Sequence, residues 1–282
     1  MNILFVNTFD VSPFVGGTER ITDTLCREFR KRYLCRCYLA YYEEISSLYK
    51  KTVFDGRLCL GSRKNVTLLI DYIVKNDIDV VMLQGQLGLA KGIRQAIGKK
   101  IKIIFAHHLY PGVEREDVSF ANSVLKCWRS RGLMANMLRL MAYPLLKAKH
   151  LYALPLKYKD TYDYSDKVVL LSSELIQPFT AFGHIKDTDK FSVIPNTLSF
   201  DIFFPFEKIY EKEKVVLIVS RLVENPKRIS LALRSWKELM SDDRLADWKL
   251  VIVGSGSDEN NYKRYVVEND IKNIYFEGNK NP

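Results

Sequence analysis

Arg221, Lys227 and Arg228 cluster just after the apolar run Val215–Ser220 and just before a stretch with helical spacing. Cations at the amino end of a helix oppose its dipole. They make sense where an anion sits among them and is neutralised jointly, and solvated surface charge is the plainer alternative. A second cluster, His107-His108, closes the apolar run Ile101–Ala106. Imidazoles there would touch a bound ligand or merely cap a strand. A metal centre needs a third ligand close by; His150 and His184 are remote in sequence and no HExxH spacing exists, so no metal is expected. Gly16-Gly17 follow the first apolar run, and Gly254-Ser255-Gly256 follow Trp248–Val253. Glycines before a helix let a phosphate or sugar reach backbone N–H groups, although the same residues also make ordinary turns. Neither pair is a GxGxxG dinucleotide fingerprint. Asp77-Ile78-Asp79 sits at the amino end of a strand and Asp187-Thr188-Asp189 in a polar loop, so both read as turn residues.

The elements that must position these groups alternate. Asn2–Val6 reads as a strand, Gly17–Arg32 as a helix, Leu34–Ala40 as a strand and Asn65–Val74 as a helix. The strand Val80–Leu83, a helix near Leu89–Ile97 and the strand Ile101–Ala106 follow, then Lys167–Leu171, a helix over Ser173–Phe182 and the strand Phe191–Ile194. A second series holds the strands Val215–Ser220, Trp248–Val253 and Asn273–Phe276 with helices over Arg228–Met240 and Asn260–Val267. Apolar strands alternating with amphipathic helices predict parallel sheets covered by helices. The expected organisation is α/β, with a doubly wound Rossmann-like domain over 1–198, a linker over 199–213 and a second such domain over 214–282. The second has too few strands to close a usual doubly wound sheet, so it is expected to be incomplete. In such sheets ligands bind beyond the carboxyl ends of the strands, which is where each cluster falls.

Composition limits the partners. Apolar residues make up 47% and charged residues 27%, as in ordinary globular chains. The five cysteines match no zinc spacing, and the chain opens on a strand-like run rather than a basic leader. Free thiols in a cytoplasmic protein are therefore expected. No run approaches the about 18 apolar residues of a membrane span. The net charge is +10. Residues 121–159 hold eight Lys/Arg (Lys126, Arg129, Arg131, Arg139, Lys147, Lys149, Lys157 and Lys159) and no acidic residue, among many Leu, Met and aromatic side chains. Such a segment suits the interface of an anionic membrane, giving a peripheral protein on the inner face, or it is a core helix with a basic polar side. No aromatic-basic sheet or helix-turn-helix pattern points to nucleic acid.

In order and spacing, Gly16-Gly17-Thr18-Glu19-Arg20, His108-x-x-Pro111, Ile194-Pro195-Asn196, Ser220-Arg221-Leu222…Lys227 and Val251–Gly256…Ile274–Gly278 resemble glycosyltransferase family 4. The resemblance implies the two-Rossmann GT-B fold and retaining, metal-independent transfer with no cofactor. The donor would be a UDP- or GDP-sugar and the acceptor a glycan or a lipid-linked acceptor, in bacterial surface polysaccharide synthesis. It implies that Arg221 and Lys227 hold the donor diphosphate, with Gly254 and Gly256 beside the nucleotide. Gly16 and Gly17 would approach the sugar. His108, with His107 as the alternative, would contact the transferred sugar, and Glu19 and Glu114 would lie on the acceptor side. The family's Glu-x7-Glu element falls beyond Pro282, so a half-built donor site, with weak donor binding and slow or no turnover, is expected of these residues. Two other readings stand beside this one. A sugar-nucleotide epimerase or isomerase of the same architecture would need paired carboxylates, for which Glu114, Glu116 and Asp117 are the candidates. A non-catalytic remnant would dock on a membrane or partner through the basic segment.

Overall fold

The computed structural model of the chain describes residues 1–12, 16–44, 53–61, 65–118, 137, 141–197 and 206–280. By their internal packing the residues divide into two units, Met1–Ser199 and Phe200–Pro282.

The first unit is built on seven parallel strands: β1 (Asn2–Phe9), β2 (Arg36–Glu43), β3 (Gly56–Cys59), β4 (Val80–Gln84), β5 (Lys102–His107), β6 (Lys167–Leu170) and β7 (Phe191–Val193). Their spatial order is β3-β2-β1-β4-β5-β6-β7, so the winding reverses between β1 and β4. Side chains alternate across a strand, and both sets are apolar because both faces are covered. One face carries Leu4, Val6, Val81, Leu83, Ile103 and Phe105. It packs under α2 (Val66–Lys75), α3 (Leu89–Ile97), α4 (Tyr143–Tyr164) and α5 (Ile176–Gly183). The other face carries Ile3, Phe5, Cys37 and Leu39 under α1 (Gly17–Tyr33), with Val80 and Met82 at its margin.

The second unit has three parallel strands, β8 (Val215–Val219), β9 (Lys249–Val253) and β10 (Ile274–Gly278), in the order β10-β9-β8. Its core joins Leu250 and Ile252 to Leu233 and Trp236 of α6 (Ile229–Leu239) and Tyr262 of α7 (Glu259–Glu268). On the opposite face of this sheet Leu217, Val219 and Tyr275 are exposed.

The expected α/β architecture of two parallel-sheet units is the one observed, with most element bounds shifted by one to three residues. β3 was not anticipated: four residues opening on glycine carry too short a pattern to show a period of two. Of the expected linker, residues 199–205 lie outside the described residues, and Phe206–Glu211 forms a 3-10 helix. Residues 121–136 and 138–140 of the basic segment also lie outside them. The described remainder is largely α4, which divides in character. Its later half buries Leu154, Tyr158, Thr161 and Tyr162, whereas Leu145, Tyr152 and Leu156 are exposed. No described helix is long and apolar enough to cross a membrane.

Candidate active site

The strand alternation sends the two adjacent histidines to opposite faces. His107 continues the set of Ile103 and Phe105 and is only 1% exposed. It lies against Phe105 (5.8 Å), Phe179 (5.6 Å) and Tyr158 (5.7 Å) between ring centroids. Burial, reinforced by the neighbouring His108, lowers its pKa to about 4. The Tyr158 hydroxyl stands 3.5 Å from His107 Nε2, donates to Glu114 Oε2 at 2.7 Å and accepts from the Gly112 N–H at 2.9 Å. Burial, then the bond to Glu114, pushes the Tyr158 phenol well up, so it stays a neutral donor. The structure thus gathers His107 and Glu114 around Tyr158 on the α4–α5 face. The side chains of Glu116 and Asp117 lie outside the described residues.

His108 turns to the α1 face and is partly exposed. Its Nε2 meets Gln84 Oε1 at 2.5 Å, and burial lowers its pKa, which keeps the ring neutral at neutral pH. Gln84 ends β4 and is buried. Gln86, also buried, donates to the Gln84 carbonyl at 2.9 Å and faces the Thr8 hydroxyl at 3.4 Å. Asn7, buried at the end of β1, donates to Thr22 Oγ1 of α1 at 3.2 Å.

The first glycine pair opens α1. Gly16 is its extended N-cap, and a Cβ there would stand 2.2 Å from Glu19 Oε2. A side chain at Gly16 would push aside the buried carboxylate of Glu19, three residues on, the position from which a Glu reaches back toward a helix start. At Gly17 nothing lies within 4 Å of an added Cβ. Residues 13–15 of this loop lie outside the described residues.

In the second unit Arg221 follows β8, a helical turn spans Glu224–Lys227, and Arg228 adopts a left-handed conformation (φ 50) as it leads into α6. Arg221, Lys227 and Arg228 are exposed, and none has an ion pair with the described residues. Glu224 was not anticipated. Its carboxylate accepts from the Ser230 N–H (3.3 Å), the Ser230 hydroxyl (2.6 Å) and the Tyr262 hydroxyl (2.9 Å), so the start of α6 already has an internal anion. Burial pushes its pKa up, but those hydrogen bonds outweigh it and hold the carboxyl below the usual range. Gly254 and Gly256 are spoken for by backbone. An added Cβ would stand 1.9 Å from the Ser220 carbonyl oxygen and 2.2 Å from that of Leu222. Leu222 N–H donates to Ser255 O (2.9 Å) and Asp258 N–H to Leu222 O (3.0 Å), fastening the two loops together. The glycine-rich loop thus braces the segment carrying Arg221. Of the two Asp-x-Asp triplets, Asp77 closes the turn after α2 through its N–H to Val74 O (3.2 Å), Asp79 ties the start of β1 by accepting from the Asn2 N–H (2.7 Å), and Asp187 serves a turn by accepting from the Asp189 N–H (2.9 Å).

Residues 199–282 match the family model described as glycosyl transferases group 1. The matched segment contains the cation cluster and the braced glycine loop, but not His108. No curated protein sequence matches the chain. Among solved structures it is similar to WaaG, a glycosyltransferase involved in lipopolysaccharide biosynthesis, at 12% identity and a TM-score of 0.59, covering 99% of this chain and 70% of that one. It is similar to TarM at 10% identity and a TM-score of 0.62, covering 99% and 77%. It is similar as well to the UDP-GlcNAc 2-epimerase of Neisseria meningitidis, at 12% identity and a TM-score of 0.52, covering 99% and 73%. Likeness at such identity establishes the fold these proteins share and leaves the reaction to the site.

Sequence reasoning did not single out Gln84, Gln86, Asn7 or Glu224. Amides carry neither charge nor hydrophobic period; the available signal was position, since Gln84 ends a buried strand as the histidines do.

Proposed function

We propose that the chain is a retaining, metal-independent glycosyltransferase that moves a sugar from a UDP- or GDP-sugar to a glycan or lipid-linked acceptor in surface polysaccharide synthesis. The observation that carries this reading is the cation cluster without ion pairs, Arg221 with Lys227, inside the segment that matches glycosyl transferases group 1. Arg and Lys held beside a diphosphate neutralise it in the ground state and stabilise the charge that grows on the leaving group. Glu224 occupies the start of α6, which leaves the anion-binding task to these side chains rather than to that helix end. Front-face attack by the acceptor hydroxyl on an oxocarbenium-like sugar would retain configuration, the leaving phosphate taking the hydroxyl proton. His108, neutral and partly exposed, is the group suited to the sugar, since it can exchange hydrogen bonds with hydroxyls without carrying charge.

A membrane-borne acceptor fits α4. Leu145, Ala148, Tyr152 and Leu156 form one exposed stripe opposite the buried Leu154, Tyr158 and Thr161, with the exposed Lys149 beside it. Apolar and cationic groups presented together suit an anionic bilayer surface. The epimerase reading draws on the likeness to the Neisseria enzyme, but it would call on Glu114, which here is engaged by Tyr158.

Calorimetric titration with UDP, GDP and ADP tests the reading. One nucleotide is expected to bind, and Arg221→Ala with Lys227→Ala to weaken it at least about a hundredfold, since each charged hydrogen bond contributes roughly 1.5–3 kcal/mol. Binding unchanged in the double variant would sink the assignment. Conversion of a UDP-sugar to its epimer without an acceptor would favour the second reading.

A further inference from the structure

Five side-chain atoms at the ends of β1, β4 and β5 are buried and have no hydrogen-bond partner among the described residues: Asn7 Oδ1, Gln84 Nε2, Gln86 Oε1, His107 Nδ1 and His108 Nδ1. Leaving such groups unpaired is costly, so a concentration of them marks a place where something else supplies the partners. His107 Nδ1 stands apart, inside the aromatic shell on the other face. The remaining four belong together. Val6 pairs with Leu83, which sets Asn7 beside Gln84 on neighbouring strands. Gln84 holds His108, and Gln86 holds Gln84 through its carbonyl. They also lie where the winding reverses between β1 and β4, the crevice in which open parallel sheets bind ligands.

The chemistry of the four atoms narrows the ligand. Gln84 Oε1 faces the ring, so His108 donates from Nε2 and its Nδ1 is a bare acceptor. The unpaired set is then three acceptors (Asn7 Oδ1, Gln86 Oε1 and His108 Nδ1) and one donor (Gln84 Nε2). Phosphate oxygens offer only lone pairs and would leave three of the four unserved. A hydroxyl group donates one bond while accepting others, so adjacent hydroxyls satisfy both kinds. Neutral amides and a neutral imidazole also add no charge that a neutral ligand would have to desolvate against.

We propose that Gln84, Gln86 and His108, backed by Asn7, form a subsite that reads the hydroxyl groups of a sugar, with Gln84 fixing His108 as the Nε2–H tautomer that presents Nδ1 to the ligand. The proposal rests on the transferase reading for its identification of the ligand as a sugar. It adds Gln84 as a positioning residue and Gln86 as a contact residue that charge and spacing did not reveal.

The test uses the full chain labelled with nitrogen-15 in its histidine rings, titrated with methyl α-glucoside, methyl α-galactoside and methyl α-mannoside, with UDP and GDP titrated in parallel. The free protein is expected to show His108 with a protonated Nε2 and a bare Nδ1. At least one glycoside is expected to move the Nδ1 resonance, and Gln84→Leu to weaken that glycoside about tenfold, as the loss of one hydrogen bond would. Gln84→Glu keeps an acceptor on Nε2 and should preserve the tautomer, which separates positioning from simple damage to the fold. Gln86→Leu should weaken the glycoside while leaving the tautomer alone. If a nucleotide binds but no glycoside moves His108, the subsite proposal is overturned and internal water serves these atoms. If neither nucleotide nor glycoside binds, the transferase reading falls and takes the subsite with it.

Discussion

Glycine is present in this chain for two different reasons, and substitution separates them. At Gly256 a methyl group would meet the Leu222 carbonyl oxygen at 2.2 Å, a backbone atom that cannot swing aside. Gly256→Ala is expected to destabilise the second unit by about 3 kcal/mol or more, through overpacking alone, as read by urea unfolding. At Gly17 an added methyl meets nothing within 4 Å, at the first residue of a helix. Gly17→Ala should therefore change stability by no more than about 1 kcal/mol, so any loss of ligand binding in that variant belongs to the ligand's approach. His107 gives a prediction of another kind. An unfolded histidine titrates near 6.5, whereas the folded one is held down to about 4 by burial and by His108. Between those values the unfolded chain takes up a proton that the folded chain refuses. Stability of the first unit should thus fall as pH drops through this window, by about 3 kcal/mol in total. Urea melts at pH 7, 5.5 and 4 should show the loss, and His107→Phe, which keeps a ring among Phe105, Tyr158 and Phe179, should remove His107's share and leave that of His108, which burial also holds down.

Among the elements, α4 faces two environments. Its buried side joins Tyr158 to the polar end of the sheet, while Leu145 (76% exposed) and Tyr152 (78% exposed) point away. If the exposed stripe meets an anionic bilayer, the chain should sediment with phosphatidylglycerol vesicles, less so as salt rises. Lys149→Ala should then weaken the binding about fivefold, since a cation contributes roughly 1 kcal/mol near such a surface, whereas Lys147→Ala, on the other side of the helix over the Tyr143 ring, should matter less. Equal binding to neutral vesicles would count against the idea. The strands other than β3 were legible because each is an apolar run that shows itself, and the histidines because they follow such a run. What stayed hidden depends on contacts that no local pattern encodes. Gln84 and Glu224 are conspicuous only once their partners, His108 and Ser230 with Tyr262, are known. That Gly254 and Gly256 also act as spacers could not be read locally, because it depends on Ser220 and Leu222, more than thirty residues earlier.

Among the described residues the buried side chains group into cores of their own, two flanking the seven-stranded sheet and one in the second unit. Heating should accordingly give two calorimetric transitions rather than one. A nucleotide that binds at Arg221 and Lys227 should raise only the transition of the second unit, by about 2.7 kcal/mol of stabilisation when present at a hundredfold excess over its Kd. A single transition, or a rise in both, would show that the units unfold as one. The winding of the first sheet also bears on how the protein is made. Ile3 pairs with Val80, and Phe105 with Val168. On a ribosome adding roughly 5–20 residues per second, β1 would wait several seconds for β4, with one apolar edge still open. During synthesis that open edge is a place for a chaperone to cover.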